Sequence, residues 1–187
     1  MRIAYFDCFS GISGDMILGA LLDCGLEEAL WRKKLALLPI SGYEISVSKA
    51  TKHNLVGKKV DIKIKESEKH RHLKEILSII SVSSLDTDVK EKAVLIFNRL
   101  AIAEGKVHGK SPDEVGFHEV GAMDAILDVV GAVVGLKILG IEEIYASELP
   151  LSKGFVQSEH GQYPLPGPAT LELLKGYPVR ITDVSGE

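Results

Sequence analysis

The chain has 187 residues, 45% hydrophobic and 26% charged, which supports a packed core and excludes a mainly disordered or low-complexity protein. With 22 Lys and Arg against 26 Asp and Glu the net charge is −4, so bulk charge gives no case for sequence-blind nucleic-acid binding. Two cysteines, no secretory leader and no apolar run longer than Val129 to Leu136 exclude a disulfide framework and fall short of a membrane span of roughly 20 residues, so the expectation is a cytoplasmic protein with no membrane partner.

Ile3 to Phe9 is short, apolar and aromatic, as in a buried strand. The loop Ser10 to Gly14 follows, then a helix from about Asp15 to Cys24 that stops at Gly25. A second helix is expected over Glu27 to Leu38, ending at Pro39. Tyr43, Ile45 and Val47 alternate with polar residues, and so do Val60, Ile62 and Ile64. This period of two predicts two half-buried strands, paired antiparallel across the polar segment Lys49 to Asn54. Glu66 to His72 is a charged connector and the expected boundary between a subdomain over 1–65 and a mainly helical one over 66–187. Helices are predicted over Leu73 to Ile80, Asp86 to Lys106 and Glu119 to Leu139, the last closed by Gly140. Short strands are expected at Ile144 to Ala146 and Gly154 to Gln157, and a last helix from Gly167-Pro168 to Gly176. Ile181 to Glu187 reads as a polar end that closes no element, as in a linker or a truncation. The fold class is α/β or α+β, a small mixed sheet with several packed helices.

Two segments carry candidate chemistry. The first is Asp7 followed by Ser10-Gly11-Ile12-Ser13-Gly14-Asp15. A strand, a Gly/Ser loop and a helix start make an anion site, because backbone N–H groups converge and the helix end is partly positive. The loop has neither a Walker A lysine nor a GxGxxG pattern, and a plain capped turn explains the same residues. The second runs from Phe117 to Asp128. Asp124 and Asp128 lie four apart on one helix face, which continues through Gly131, Ala132 and Gly135. Small residues there imply a closely packed neighbour, so the two carboxylates must be paired, protonated or metal-bound. His118 and Glu119 stand at the expected helix start, and with Asp124 and Asp128 they form a candidate acid/base and metal set. A helix cap and structural ion pairs are the plainer alternative. Weaker metal-ligand candidates are His70 and His72 around Arg71, His108 four residues after Glu104, and His160 before a Pro-rich loop. Cys8 reads as a buried structural thiol.

The blocks FDCFSGISGDMILGALLDCG, HRHLKEIL, VGFHEVGAMDAILDVVGAVVGLKILGI and EHGQYPLPGPATLELLKG resemble the nickel insertion proteins of the lactate racemase cofactor pathway, the LarC family. They occur in the family's order. The resemblance implies a lyase of metal-chelatase type. Such a protein inserts nickel into pyridinium-3,5-bisthiocarboxylic acid mononucleotide, using CTP and manganese or magnesium. The product is a nickel pincer nucleotide in which the metal is bonded to two sulfurs and one ring carbon. Family members often read HFHEVG where this chain has Gly116 before Phe117-His118-Glu119, which removes one candidate ligand. The family also continues into a C-terminal CTP-binding domain that is absent here. The expectation is therefore the N-terminal part of a nickel insertion enzyme, inactive alone and partnered by its C-terminal half. Alternatives are a non-catalytic metal or nucleotide binding module, and an oligomerisation domain using the Gly131/Gly135 face in a homo-oligomer.

Overall fold

The structure is a computed structural model, and it describes residues 1–65, 71–117, 123–158 and 161–185. Strand β1 (Ile3–Phe6) forms from the apolar run but stops before Phe9. Gly11 then donates its N–H to the Cys8 carbonyl at 3.2 Å and adopts φ +96°, a left-handed turn that glycine makes without a Cβ clash. Helix α1 (Gly14–Asp23) buries Leu18, Leu21 and Leu22 at helical spacing. Helix α2 (Glu28–Leu35) is shorter than the periodicity predicts. Leu37 and Leu38 continue it with bonds to carbonyls three residues back, the tighter winding common at helix ends.

Strands β2 (Tyr43–Lys52) and β3 (Leu55–Ile64) pair antiparallel, with Tyr43 opposite Ile64 and Lys52 opposite Leu55. The expected pairing is present, but the expected polar connector is not. The strands run to Lys52 and Leu55, and only His53 and Asn54 turn, with φ +51° and +66°. Two residues of positive φ match the right-handed twist of the flanking strands. Strand β4 (Arg71–His72) leads into α3 (Leu73–Val82) and α4 (Thr87–His108), and β4 pairs with β5 (Gly116–Phe117). Helix α5 (Met123–Ile138) ends before Gly140, where φ is +67°. After it come β6 (Glu143–Ala146), β7 (Leu149–Lys153), β8 (Phe155–Ser158), β9 (Gly161–Pro164), α6 (Pro168–Leu174) and β10 (Val179–Ser185). Strand β10 corrects the reading of the C-terminal residues as an unclosed polar end. It pairs in parallel with β7, Val179 opposite Leu149 and Ile181 opposite Leu151.

The class is mixed α/β, as expected. Among the described residues the strands form five separate pairs rather than one sheet. The chain divides into two compact units. The first comprises Met1–Ile12, Arg99–Val115 and Ile141–Glu187; the second comprises Ser13–Asn98 and Gly116–Gly140. In the first, β1 pairs with β6 and β7 with β10 in parallel, β8 pairs with β9 antiparallel, and Cys8, Ala101, Ala103 and Val115 are buried. The second holds a core of Leu18, Leu22, Trp31, Ile76, Ile126 and Leu127, each almost fully removed from solvent. Among the described residues no helix is long and apolar enough to cross a membrane.

Candidate functional site

Helix α5 sets the site in the second unit. Its spacing of four puts Asp124 and Asp128 on one face, above Gly131 and Gly135. That lower face is a closely packed seam. A Cβ on Gly131 would lie 3.1 Å from Leu18 Cδ2 and 3.2 Å from Trp31 Cζ2, and one on Gly135 would lie 2.9 Å from Leu21 Cδ1. Trp31 Nε1 donates to the Gly131 carbonyl at 3.0 Å, which satisfies the only polar atom of a buried indole. The sequence expectation of a close neighbour along this face is met by α1 and α2 of the same unit.

Asp128 tops the seam, half-buried. Its Oδ1 is buried without a hydrogen-bond partner among the described residues. Gly14, the first residue of α1, lies so close that any Cβ there would overlap the Asp128 carboxyl group. Burial first, then the charges of Asp124 and Asp15, push the Asp128 pKa up to about 6. Desolvation and like charge both disfavour the ionised form. A carboxyl poised so close to neutrality can take up or release a proton under cellular conditions. A bound cation would satisfy the orphan oxygen and offset the charges of the two neighbouring carboxylates, Asp124 and Asp15. Asp124 Oδ1 already accepts from the Ala125 N–H at 2.7 Å, and the Ser13 hydroxyl donates to Asp15.

The candidate loop is shared between the units. Asp7, Ser10 and Gly11 belong to the first, whereas Ser13, Gly14 and Asp15 belong to the second with Asp124 and Asp128. Ser13 occupies the N-cap position of α1 without a side-chain cap bond. His72 occupies the same position before α3, where its N–H donates to Glu75 Oε2 at 2.8 Å. His108 ends α4 with Nε2 3.4 Å from Glu104 Oε2, and its charged form there opposes the helix dipole favourably. His70, His118, Glu119 and His160 lie outside the described residues. Among the described residues no three His, Cys, Asp or Glu side chains converge to hold a metal. Cys8 is buried, and burial pushes its thiol up, with the Asp7 charge adding to the effect. That keeps it protonated and unreactive.

Sequence reasoning missed Gly14 as the partner surface of Asp128. A glycine opening an amphipathic helix was the available signal, but it does not say which distant residue needs the room.

A family model described as nickel insertion protein matches residues 4–187. The pyridinium-3,5-bisthiocarboxylic acid mononucleotide nickel insertion protein of Desulfitobacterium hafniense is 50% identical over 187 residues, covering 100% of this chain and 46% of the relative. A Dictyoglomus thermophilum protein, also named for nickel insertion, is 49% identical over 187 residues, covering 100% of this chain and 48% of the relative. The chain thus spans about half the length of these curated relatives. No solved structure matches it.

Proposed function

The chain belongs to the nickel insertion protein family, and from that premise we propose that it receives nickel and presents it to pyridinium-3,5-bisthiocarboxylic acid mononucleotide. Nickel is here a substrate. One observation carries the assignment of the site: Asp128 holds a buried, unpartnered carboxylate oxygen beside Asp124 and Asp15. An unsatisfied buried acceptor costs about 1–3 kcal/mol, which a ligand at this oxygen would offset. His118 and Glu119 stand four or five residues before Met123 in the sequence. In this reading the sequence supplies an imidazole and a further carboxylate shortly before Asp124, residue types that suit nickel. The carboxylates also make the start of α1 electronegative, so the cation rather than a phosphate is placed at Ser13-Gly14-Asp15. Asp124 and Asp128 are the candidate bases for the ring proton that leaves as nickel bonds to carbon. CTP and manganese or magnesium are assigned to the part of the relatives that this chain does not span.

Because α1 and α2 fill the Gly131/Gly135 face, that face offers no seam for a second copy. The test is nickel titration of the whole chain by calorimetry. Asp128→Asn and His118→Ala are each expected to weaken binding at least tenfold, about 1.4 kcal/mol. Parent-like affinity in both folded variants overturns the site.

A further inference from the structure

The first unit holds a second concave feature, away from any carboxylate of α5 in sequence and built from different chemistry. The C-terminal part of α4 and helix α6 line a cavity of about 160 Å³, with Arg99, Ile102, Ala103 and Lys106 on one side and Glu172 and Leu173 on the other. Pockets for whole ligands of drug or nucleotide size measure roughly 300–1,000 Å³. This one has room for a single group and leaves the rest of a ligand outside.

The charges around it do not balance. Glu172 Oε2 accepts from Lys106 Nζ at 3.0 Å, and its other oxygen accepts from Lys175. Those two ammonium groups hold the Glu172 carboxyl below its ordinary range, Lys175 first and Lys106 second. Arg99 has a neutral partner instead: Nη1 donates to the Tyr177 hydroxyl at 3.1 Å, and the guanidinium stands 5.7 Å from the ring centroid. Two ammonium groups therefore share one carboxylate, and Arg99, which lines the same cavity, pairs with a neutral hydroxyl, in a chain whose net charge is −4. Ile102, Ala103 and Leu173 supply an apolar floor that strengthens any ionic contact made over it. A guanidinium and an ammonium beside a pocket of one-group size match the geometry of a phosphate, which Arg can grip with two parallel N–H bonds.

We propose that the α4–α6 cleft binds a phosphate monoester, the phosphate end of a mononucleotide, through Arg99 and Lys106, with Glu172 as the internal anion that holds the lysines until the ligand displaces it. This deepens the reading above, because it assigns the mononucleotide's phosphate to a place of its own; it rests on the substrate class of that reading and not on the nickel site.

The experiment is calorimetric titration of the whole chain, without nickel, using two probes: inorganic phosphate and nicotinic acid mononucleotide, a pyridinium mononucleotide. The mononucleotide is expected to bind, and more tightly than phosphate. Arg99→Gln and Lys106→Gln should each weaken it at least tenfold, Lys106→Arg should retain it, and Glu172→Gln should tighten it by removing the competing carboxylate. All three side chains lie at the surface or its margin, so unchanged melting curves are expected to accompany these changes. A role confined to holding α6 on α4 would give the opposite sign for Glu172→Gln. No binding of either probe at about 10 mM, or parent-like affinity in both cation variants, overturns the proposal. Equal affinity for the two probes overturns its mononucleotide part. Since no nickel is present, failure here leaves the Asp128 reading standing, and failure of nickel binding leaves this result interpretable.

Discussion

Asp128 and Gly14 are two halves of one local conflict. Asp128 keeps its proton up to about pH 6, whereas an unperturbed Asp titrates near 3.9. Between those values the folded chain binds more protons than the unfolded chain, so stability falls as pH rises from about 4 to about 6 and levels off above. A shift of about two units corresponds to about 3 kcal/mol, and solvent screening of a partly exposed carboxyl reduces that to about 1 kcal/mol. Asp128→Asn is therefore expected to be more stable than the parent at pH 7 by about 1 kcal/mol, with the advantage gone near pH 4. Urea denaturation at both pH values measures it, and an equal advantage at both would show that burial of charge is not the cause. Gly14→Ala tests the other half. The new Cβ overlaps the Asp128 carboxyl group, and overpacking of this kind costs about 1–3 kcal/mol. Most of that cost should vanish in an Asp128→Ala background, because only coupled residues depart from additivity. The shared face of Asp124 and Asp128 was legible from helical spacing alone. The contact with Gly14 was not, because periodicity orders residues within one helix and carries no information on which helix lies opposite.

At the scale of elements, legibility followed length and regularity. Helices α1, α3, α4 and α6 stand close to where apolar spacing placed them, and β2 and β3 pair as expected but extend further toward their turn. Strands β4 and β5, of two residues each, carry no period to read. Strand β10 was hidden because its register with β7 breaks between Ile181 and Ser185 and its middle is polar. In β2, Lys49 and Lys52 mask the strand because that end of the hairpin is exposed on both faces. The hairpin is held independently of the pattern: Lys58 donates its N–H to Asp23 at 2.8 Å and its ammonium to the Leu22 carbonyl at 2.7 Å, adding a second donor to a carbonyl at the end of α1 that also accepts from the Gly25 N–H. The α5 seam makes the sharpest prediction at this scale. Gly131→Leu forces a branched side chain against Leu18 and Trp31, which already sit near contact distance, and should lower stability by about 1–3 kcal/mol. Trp31→Phe keeps most of the ring but loses the bond to the Gly131 carbonyl, for a smaller loss of about 1 kcal/mol beyond the volume change. Thermal melts of the two variants should rank in that order, and a parent-like melt of Gly131→Leu would mean that the seam opens freely.

For the whole molecule, composition and charge say little beyond a globular chain, and the blocks around Gly14, Asp128 and Pro168 point to the family. The first compact unit is assembled from three separated stretches of chain, and no local composition marks their return to one another. The same distribution bears on activity. The chain spans about half the length of its curated relatives. Among its described residues, the elements offered for chemistry are a carboxylate cluster and a small cationic cleft, and the loop before α1 lacks the lysine that would grip a triphosphate. The proposed nickel site and the proposed monophosphate cleft would together take up the two substrates without supplying CTP chemistry. The expectation is that this chain binds nickel and mononucleotide but forms no nickel pincer nucleotide alone, even with CTP and manganese or magnesium present. Adding the C-terminal half of a full-length relative, in trans or fused, should restore formation of the nickel-loaded cofactor, read as activation of lactate racemase. Asp128→Asn should block that restored activity while Gly131→Ala, if folded, should reduce it only in proportion to its stability loss. Multiple turnovers by the chain alone would overturn this division of labour and place CTP activation within these 187 residues.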